Sequence, residues 1–315
     1  MDEFELINRI RVRAGARADV VLGIGDDCAL LEVPAGLQLA VTSDTLNAGV
    51  HFPPETAAFD IGWKALAVNL SDLAAMGARP AWCTLALALP EADAGFVAGF
   101  LDGFFALADQ HDVALVGGDT TRGPLSINVT AHGFVAPGAA LRRDGARVGD
   151  DVWVSGTLGD AAAALRQWRD GQPVDGDLRA RLDRPTPRVA LGQALGGVAS
   201  ACIDLSDGLL ADLGHVCRAS GVGARIEVEA LPASAALLSA GDAQRRRTLQ
   251  ATGGDDYELC FTALPACRQS VLDAARSSRV PVTRIGRIDH GNVVLALSAN
   301  GDAWIPAHAG FVHFG

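Results

Sequence analysis

Basic residues are scarce in this chain relative to acidic ones. The 315 residues include 26 Lys and Arg against 37 Asp and Glu, which gives a net charge of −11 at pH 7. A nucleic-acid-binding surface needs a basic face, so this balance argues against nucleic acid as a partner. An acidic protein that binds an anionic nucleotide would need metal ions to bridge the two.

The chain also lacks a long apolar run and closely paired cysteines. No run reaches the roughly 20 apolar residues of a membrane span, and Met1-Asp2-Glu3 is acidic where a signal peptide would be basic. None of the six cysteines forms a C-x-x-C pair, so reduced core thiols are favoured over disulfides or a zinc site. We therefore expect a soluble cytoplasmic protein that has no membrane partner.

Three common catalytic signatures are missing as well. There is no G-x-x-x-x-G-K-[ST] sequence, which excludes a P-loop protein. The H-R-D and D-F-G pair of protein kinases is absent, and no Ser-His-Asp arrangement is evident. Any chemistry has to come from other groups.

Length and composition favour two folded domains. A chain of 315 residues fits two domains better than one, and 49% hydrophobic residues can supply sizeable cores. A segment rich in Gly and Arg at 138–150, which follows Pro137, predicts a connector between domains at 1–137 and 151–315. Both halves mix short strands with helices, so we expect an α+β fold with a site between the domains.

One predicted helix of the first half contains an isolated acidic residue. An apolar face is marked at helical spacing by Trp63, Leu66, Leu70, Leu73 and Met76 within a predicted helix over 55–76. The single charge in its second half is Asp72. Because an isolated buried carboxylate is costly, Asp72 should need a cation, a metal or several donors.

Further carboxylates of the first half follow apolar runs. Gly25-Asp26-Asp27 interrupts two such runs, which is also what a plain hairpin turn with solvated acids looks like. Thr42-Ser43-Asp44-Thr45 places four side-chain oxygens where a strand is predicted to end, although Ser43 or Asp44 would also suit an N-cap. Gly117-Gly118-Asp119 ends a third apolar run, and its glycines let a backbone approach a phosphate closely.

The second half also contains carboxylates that follow an apolar run. Asp204-Leu205-Ser206-Asp207-Gly208 follows a short predicted strand and precedes a predicted helix, whose N-terminus favours phosphate oxygens. Ser206 or Asp207 would equally serve as a helix cap. Arg143, in the connector, is the right residue type to reach a polyphosphate.

So many acids in one cleft would repel each other unless cations neutralised them. Several Mg²⁺ ions bridging a triphosphate would do so, and phosphoryl transfer requires little beyond positioning and charge stabilisation. No motif favours a covalent phospho-Asp or phospho-His, so no side chain is assigned a catalytic role of its own.

In combination these motifs resemble the thiamine-monophosphate kinase family. The resemblance covers nearly the whole chain and is carried by Gly23–Ala29, Thr42–Thr45, Asn69–Ala78, Gly117–Thr121, Asp204–Gly208 and Asp256–Leu259. It implies a two-domain fold like that of aminoimidazole ribonucleotide synthetase and a homodimer formed through N-terminal sheets. It also implies phosphorylation of thiamine monophosphate to thiamine diphosphate by direct transfer from ATP with Mg²⁺.

The resemblance also implies roles for individual residues. Mg²⁺ would be held by Asp27, Thr42, Ser43, Asp44, Asp72, Asp119, Asp204 and Asp207, with Thr42 and Ser43 using hydroxyl or backbone oxygens. ATP would contact Gly118, Asp119, Arg143 and Ser206. Thiamine monophosphate would contact His51 and Asp255 and stack on Phe311, although a lone His is more often structural. Asp255 stands where the family often has Glu, so a water is expected to intervene there.

Two other functions stay open at this point. A synthetase of the same superfamily would activate an oxygen with ATP and then add an amine or selenium, but no Lys or Cys precedes Gly23, which disfavours the selenium branch. A non-catalytic nucleotide-binding relative would be expected to have lost ligands, whereas the acidic set here is complete.

Overall fold

A computed structural model describes residues 3–15, 17–306, 308 and 310, with the side chains of residues 3 and 4 left out. The chain divides into two compact units. The first runs to Leu73 and resumes from Ala78 to Gly138, and the second takes Ala74–Gly77 and continues from Ala139. Within the described residues, no helix is both long enough and apolar enough to span a membrane.

The first unit is built on a four-stranded sheet. Its elements in chain order are α1 (Glu3–Arg13), β1 (Val20–Leu22), β2 (Leu30–Leu31), β3 (Gln38–Asn47), α2 (Ala58–Ala75), β4 (Arg79–Leu89), α3 (Ala94–Gln110), β5 (Ala114–Arg122) and β6 (Ser126–Val135). The sheet order is β3-β6-β4-β5, so β3 and β5 are its edges. Only β4 and β5 run parallel.

Helix α2 is buried along the face that its spacing predicted. Leu66, Leu70 and Leu73 are at most 1% exposed, and the helix spans Ala58–Ala75 where 55–76 was predicted. Met76, which was predicted to belong to this face, lies just beyond the helix and is 37% exposed. Its residues at 69 and 72 reach strand β3, so α2 lies against that edge of the sheet.

The Gly-Asp-Asp segment connects β1 and β2, which pair antiparallel, so the hairpin that the sequence left open as the simpler alternative is present. Trp82 of β4 anchors this hairpin, because its indole N–H donates to the Asp19 carboxylate at 3.1 Å. Arg17 donates to the same carboxylate at 2.7 Å. Although burial opposes ionisation, the hydrogen bonds from Arg17 and Trp82 keep the pKa of Asp19 below its usual value.

Two strands extend further than predicted. Thr42–Thr45 and Gly117–Thr121 were expected at strand ends, but they lie inside β3 and β5. Strand β3 continues because it pairs with β6 from Gln38 through Asn47, and β5 continues beside β4 as far as Arg122. These pairings are between residues far apart in sequence, so local composition could not locate the strand ends.

The second unit has a six-stranded sheet and seven helices among the described residues. Its elements are β7 (Asp151–Ser155), α4 (Asp160–Arg169), α5 (Gly176–Asp183), α6 (Val189–Ala194), β8 (Ala201–Asp204), α7 (Leu209–Ser220), β9 (Gly223–Glu227), α8 (Ala235–Ser239), α9 (Ala243–Thr252), β10 (Leu259–Ala263), α10 (Arg268–Ser278), β11 (Val282–Asp289) and β12 (Val294–Leu297). The sheet order is β12-β9-β11-β7-β10-β8, and only β12 and β9 pair in parallel. Strand β8 is an edge, so the residues that follow it are not enclosed by a further strand.

Candidate functional site

Two acidic side chains of the first unit lie close together where α2 meets β3. Thr42 and Asp44 are two residues apart on β3 and therefore point to the same face. The Thr42 hydroxyl donates a hydrogen bond to the Asp72 carboxylate. This grouping of two carboxylates and a hydroxyl agrees with the set that the sequence motifs selected.

The proximity of Asp72 affects the ionisation of Asp44. Burial, and then the negative charge of Asp72, raise the pKa of Asp44 to about 6. Two carboxylates that disfavour each other's charge are what a divalent cation relieves, and carboxylate and hydroxyl oxygens are ligands that Mg²⁺ accepts. The residues present therefore fit a metal ion at this position.

A third residue fixes the pair and was not selected from the sequence. Asn69 is fully buried on α2. Its Oδ1 accepts a hydrogen bond of 3.1 Å from the backbone N–H of Asp44, and its Nδ2 donates to the carbonyl of Ala65 at 3.1 Å. The available signal was a polar residue one turn before Asp72 in an otherwise apolar stretch.

Ser43 lies differently from its two neighbours. Its hydroxyl is 3.0 Å from that of Thr130 on β6 and is exposed on the opposite face of the sheet. The structure therefore brings together the side chains of Thr42, Asp44 and Asp72 without that of Ser43. The proposal that Ser43 contributes to metal binding through its backbone oxygen stays a prediction.

The Gly-Asp-Asp turn and the Gly-Gly-Asp segment line one cavity of the first unit. This cavity measures about 480 Å³ and is lined in part by Asp26, Asp27, Gly118 and Asp119. The Asp26 carboxylate accepts a hydrogen bond of 2.8 Å from the backbone N–H of Asp27. The structure thus brings together two segments that are about 90 residues apart in sequence.

The sheet separates this cavity from the Asp44–Asp72 pair. Asp44 lies opposite Val129, Val129 opposite Leu85, and Leu85 opposite Gly118. Three strand spacings span about 14 Å, so Asp44 and Gly118 are at opposite edges. Gly118 has a φ of +149°, and a Cβ there would lie 1.9 Å from the Leu85 carbonyl oxygen, so only glycine fits beside β4.

His51 belongs to a hydrogen-bonded turn just after β3. Its Nδ1 accepts a hydrogen bond of 3.0 Å from the backbone N–H of Asn47. Its carbonyl oxygen accepts one of 3.1 Å from the ammonium group of Lys64 on α2. Hydrogen bonds to the ring and to the backbone of His51 therefore both fix this residue in the turn.

In the second unit, the Asp-x-Ser-Asp loop pairs with the segment before β10. Asp204 ends β8 as predicted and lies opposite Leu259. The N–H of Asp255 donates to the Ser206 carbonyl at 2.9 Å. Asp255 has a φ of +66°, and its carboxylate accepts a hydrogen bond of 3.1 Å from the Tyr257 hydroxyl. The structure thus brings Ser206 and Asp255 together.

Asp212 of α7 binds the backbone of this loop, and it was not among the site residues predicted from the sequence. Its Oδ2 accepts hydrogen bonds from the backbone N–H groups of Asp207 at 3.1 Å and Gly208 at 3.0 Å. Burial and the charge of Asp207 raise the pKa of Asp212 to about 7. These two amides at the start of α7 are therefore engaged by a carboxylate of the chain itself. An acid in the first turn of a helix that follows Asp-Gly was the signal that could have found it.

Arg143 belongs to the second unit and is exposed. Its charge acts on His215 of α7, as does the charge of Asp207 in the loop before that helix. Burial, followed by the positive charges of Arg218 and Arg143, lowers the pKa of His215, whereas the charge of Asp207 raises it. The guanidinium of Arg143 thus acts in the same electrostatic neighbourhood as Asp207.

Asp256 and Glu258, which contributed to the sequence resemblance, have structural partners. Asp256 accepts from the Gly159 N–H at 2.9 Å. Glu258 is fully buried and accepts from Arg181 at 2.7 Å and from Arg188 at 2.7 Å. Asp256 therefore binds the backbone at the start of α4, and Glu258 pairs with two arginines.

Within the described residues, no group of three or more His, Cys, Asp or Glu side chains is gathered closely enough to hold a metal ion. The acidic residues instead form the separate sets described above. Phe311 lies outside the described residues.

Comparison with known proteins places the chain in a family. The AIR synthase related protein N-terminal domain matches residues 25–135, and its C-terminal domain matches residues 147–297. Thiamine-monophosphate kinase of Salmonella typhimurium is 51% identical, with 91% of this chain and 90% of that protein covered. The Escherichia coli K12 enzyme of the same name is 47% identical, with coverages of 99% and 98%. The chain belongs to the thiamine-monophosphate kinase family.

Solved structures of the thiamine-monophosphate kinase family confirm the predicted fold class. The thiamine-monophosphate kinase of Stenotrophomonas maltophilia superimposes with a TM-score of 0.89 at 58% identity, over 96% of this chain and 98% of that one. The structure described as "AaThiL complexed with AMPPCP and TMP" gives 0.79 at 33% identity, with coverages of 99% and 97%. The hydrogenase maturation protein HypE, at 20% identity, shares the fold.

Proposed function

We propose that this protein transfers the γ-phosphoryl group of ATP to thiamine monophosphate and so forms thiamine diphosphate. The observation that carries the assignment is identity of 47–51% with thiamine-monophosphate kinases over nearly the whole chain. A relative at 33% identity is described as a complex with AMPPCP and TMP, which supports ATP and thiamine monophosphate as the two substrates.

The acidic and hydroxyl residues of the motifs have the oxygen atoms that Mg²⁺ accepts as ligands. We assign to metal binding Asp27, Thr42, Ser43, Asp44, Asp72, Asp119, Asp204 and Asp207. When bound, Mg²⁺ neutralises phosphate charge and stabilises the transferring group. The support from geometry is strongest for Asp44 and Asp72, because burial of two like charges disfavours their joint ionisation unless a cation is present.

The residues proposed for ATP lie in both units. Gly118 and Asp119 line the cavity of the first unit, and the glycine leaves backbone exposed there. Ser206 and Arg143 belong to the second unit, where Arg143 supplies a positive charge near Asp207. An arginine is suited to polyphosphate because its planar guanidinium can donate two parallel hydrogen bonds.

His51, Asp255 and Phe311 are proposed to bind thiamine monophosphate. The turn after β3 fixes the His51 ring through the hydrogen bond that its Nδ1 accepts from the Asn47 N–H. The Asp255 carboxylate accepts a hydrogen bond from Tyr257. Its side chain is one methylene shorter than Glu, so we propose that a water molecule mediates its contact with the substrate.

We also propose that the protein works as a cytoplasmic homodimer. Strand β3 is an edge of the sheet and exposes Leu39 and Val41, at 42% and 58%. An exposed apolar edge strand is a template for pairing with a second copy. The cytoplasm is where ATP is available to such an enzyme.

Chromatographic detection of products tests the function. The purified protein, ATP, MgCl₂ and thiamine monophosphate should yield equal amounts of ADP and thiamine diphosphate, whereas thiamine should not be consumed. ADP without thiamine diphosphate would favour a synthetase of the superfamily, and nucleotide binding without ADP would favour a non-catalytic relative. Asp72→Asn should abolish transfer while leaving the thermal unfolding transition cooperative. Retained turnover would remove the metal assignment.

A further inference from the structure

Arg17 joins two segments of the first unit that are far apart in the sequence. Its Nε and Nη2 donate to the two carboxylate oxygens of Asp19 at 2.7 Å and 3.2 Å. Its Nη1 donates to the carboxylate of Asp112 at 2.7 Å and also to the carbonyl oxygen of that residue. The Arg17 side chain is only 11% exposed, and a charge that is largely removed from water needs such partners. The guanidinium therefore has a fixed position between the two aspartates.

The two aspartates that this guanidinium binds each lie at the start of a segment that leads to the cavity of the first unit. Asp19 precedes β1, and its carbonyl oxygen accepts a hydrogen bond of 2.9 Å from the Glu32 N–H, which closes the hairpin after β2. Asp112 lies in the turn between α3 and β5. Asp27 comes eight residues after the first of these aspartates, and Asp119 comes seven residues after the second. Both line the same cavity of about 480 Å³.

The β1–β2 hairpin depends on directional bonds because its own contacts are few. Its strands have three and two residues, and an isolated two-stranded hairpin is marginally stable at best. Val21 and Leu30 are 62% and 51% exposed. Val20 and Leu31 pack against the buried cluster that contains Trp82. Apolar packing is non-directional, so it holds the hairpin on the sheet without fixing its orientation there.

We propose that Arg17 is a positioning residue that fixes the distance between the carboxylates of Asp27 and Asp119. It does so by holding the base of the hairpin against the turn that begins β5. The Trp82 indole also bonds Asp19, but Arg17 links that aspartate to the turn. This role rests on the proposed function, in which both carboxylates of the cavity hold Mg²⁺. Arg17 does not line the cavity, so it acts through the two segments and not by contact with a ligand.

Binding of Mn²⁺ in place of Mg²⁺ tests this role without turnover, because electron paramagnetic resonance measures the unbound ion. Arg17→Met keeps an apolar stem and removes the guanidinium. The dissociation constant for Mn²⁺ should rise about tenfold or more, which is typical when a group that aligns metal ligands is lost. The double variant Arg17→Met/Asp27→Asn should bind Mn²⁺ as Asp27→Asn does, within about twofold, because Arg17 acts by placing that carboxylate. Multiplicative effects in the double variant would overturn the proposal.

Arg268→Met is the matched control for the binding measurement. Arg268 also forms a bidentate pair with a carboxylate, at 2.6 Å and 2.8 Å from Asp151 of the second unit. This variant should change the dissociation constant for Mn²⁺ by less than about twofold, because it is independent of the cavity. An equal rise in Arg17→Met and Arg268→Met would mean that the loss of any such pair weakens metal binding, and the proposal would be wrong.

Hydrogen exchange of the metal-free protein separates a positioning role from a general loss of stability. Arg17→Met should speed the exchange of backbone amides in residues 20–31 and 113–121, because both segments lose a common anchor. The amides of α2 should exchange at unchanged rates. Faster exchange in α2 as well, or unchanged exchange in either of the two segments, would refute the proposal.

These measurements also distinguish this proposal from the function on which it rests. If ATP and thiamine monophosphate yield no thiamine diphosphate, the proposed function fails, whereas the Mn²⁺ constants and exchange rates still decide the role of Arg17. If the unsubstituted protein binds no Mn²⁺, the metal assignment fails and the exchange rates alone decide that role.

Asp112→Asn replaces Arg17→Met if that variant does not fold. The Asp112 side chain is 85% exposed, so this substitution removes one carboxylate from the guanidinium without disturbing the core. It should raise the dissociation constant for Mn²⁺ about threefold, since one charged hydrogen bond is weakened. It should also speed exchange in residues 113–121. An unchanged constant together with unchanged exchange would refute the proposal.

Discussion

The side-chain amide of Asn69 connects α2 to β3, because its Oδ1 accepts a hydrogen bond of 3.1 Å from the backbone N–H of Asp44. The amide is fully buried and its Nδ2 is satisfied by the Ala65 carbonyl. Asn69 therefore orients the carboxylate of Asp44 without offering a carboxylate of its own. In a metal site this is the role of an outer residue that aligns a ligand.

Removal of this amide should weaken metal binding more than it affects the fold. We expect Asn69→Ala to raise the Mg²⁺ concentration for half-maximal activity roughly tenfold or more. It should also lower the free energy of unfolding by about 2 kcal/mol, since a buried N–H loses its acceptor. Kinase assays over a MgCl₂ series and urea unfolding measure the two effects.

Asp93→Ala provides the control for this prediction. Asp93 caps the N-terminus of α3, where its carboxylate accepts a hydrogen bond of 2.7 Å from the Gly95 N–H. Loss of the cap should reduce stability by about 1 kcal/mol without changing the Mg²⁺ dependence. If both variants shifted the Mg²⁺ dependence equally, the effect would come from lost stability and not from the orientation of Asp44.

Part of this arrangement could be predicted from the sequence. The apolar spacing of Leu66, Leu70 and Leu73 located α2 within a few residues, and the polar positions within it identified Asp72. Helical periodicity is a local property, so a single sequence reports it well. The family resemblance then selected residues that the structure groups in part, such as Asp44 with Asp72 and Ser206 with Asp255.

Other features could not be predicted, because they depend on pairing between distant segments. The extension of β3 through Asp44 is set by its partner β6, and this extension places Ser43 on the face opposite Asp44. The separation of Asp44 from Gly118 likewise follows from strand order. Asp212 was missed because its partners are two backbone amides, so its place in the first turn of α7 was the only signal that the sequence carried.

Asp212 should be needed to hold the Ser206–Gly208 loop in place. Asp212→Ala leaves the N–H groups of Asp207 and Gly208 without their acceptor, so we expect a loss of about 2 kcal/mol in the free energy of unfolding. Activity should fall on the order of tenfold to a hundredfold through misplacement of Asp207. Urea unfolding and steady-state kinetics at saturating MgCl₂ measure both quantities.

Asp212→Asn is the matched comparison, because its amide oxygen can still accept from the loop. This variant should lose less stability and less activity than Asp212→Ala. Equal losses in the two variants would show that the negative charge, and not the acceptor, is what the loop requires.

If β3 pairs with a second copy of the chain, a charged residue at its exposed apolar positions should prevent dimer formation. Val41 is 58% exposed on β3, so Val41→Lys should prevent the pairing of two copies and give a monomer in sedimentation velocity. Val293, 55% exposed in the second unit, is the control, and Val293→Lys should sediment like the unsubstituted protein. A dimer that persists in Val41→Lys would place the interface elsewhere.

The Asp44–Asp72 pair makes a prediction about pH and stability without metal. The pKa of Asp44 is about 6 in the folded protein and 3.8 in a model peptide, so between these values the folded state binds more protons than the unfolded state. The free energy of unfolding should then fall as pH rises through this window, and above pH 6 the charged Asp44 remains a full cost. Asp44→Asn should remove that cost, which is at most about 3 kcal/mol.

In EDTA, urea unfolding at pH 8 should therefore find Asp44→Asn more stable than the unsubstituted protein, and the difference should vanish as pH falls from 6 toward 3.8. Asp109→Asn, an exposed substitution on α3, serves as the control. Added MgCl₂ should stabilise the unsubstituted protein and not Asp44→Asn, because a ligand that binds only the folded state raises its stability. A variant that is less stable at both pH values would mean that the Asp44 charge is already compensated within the chain and that no cation is required there.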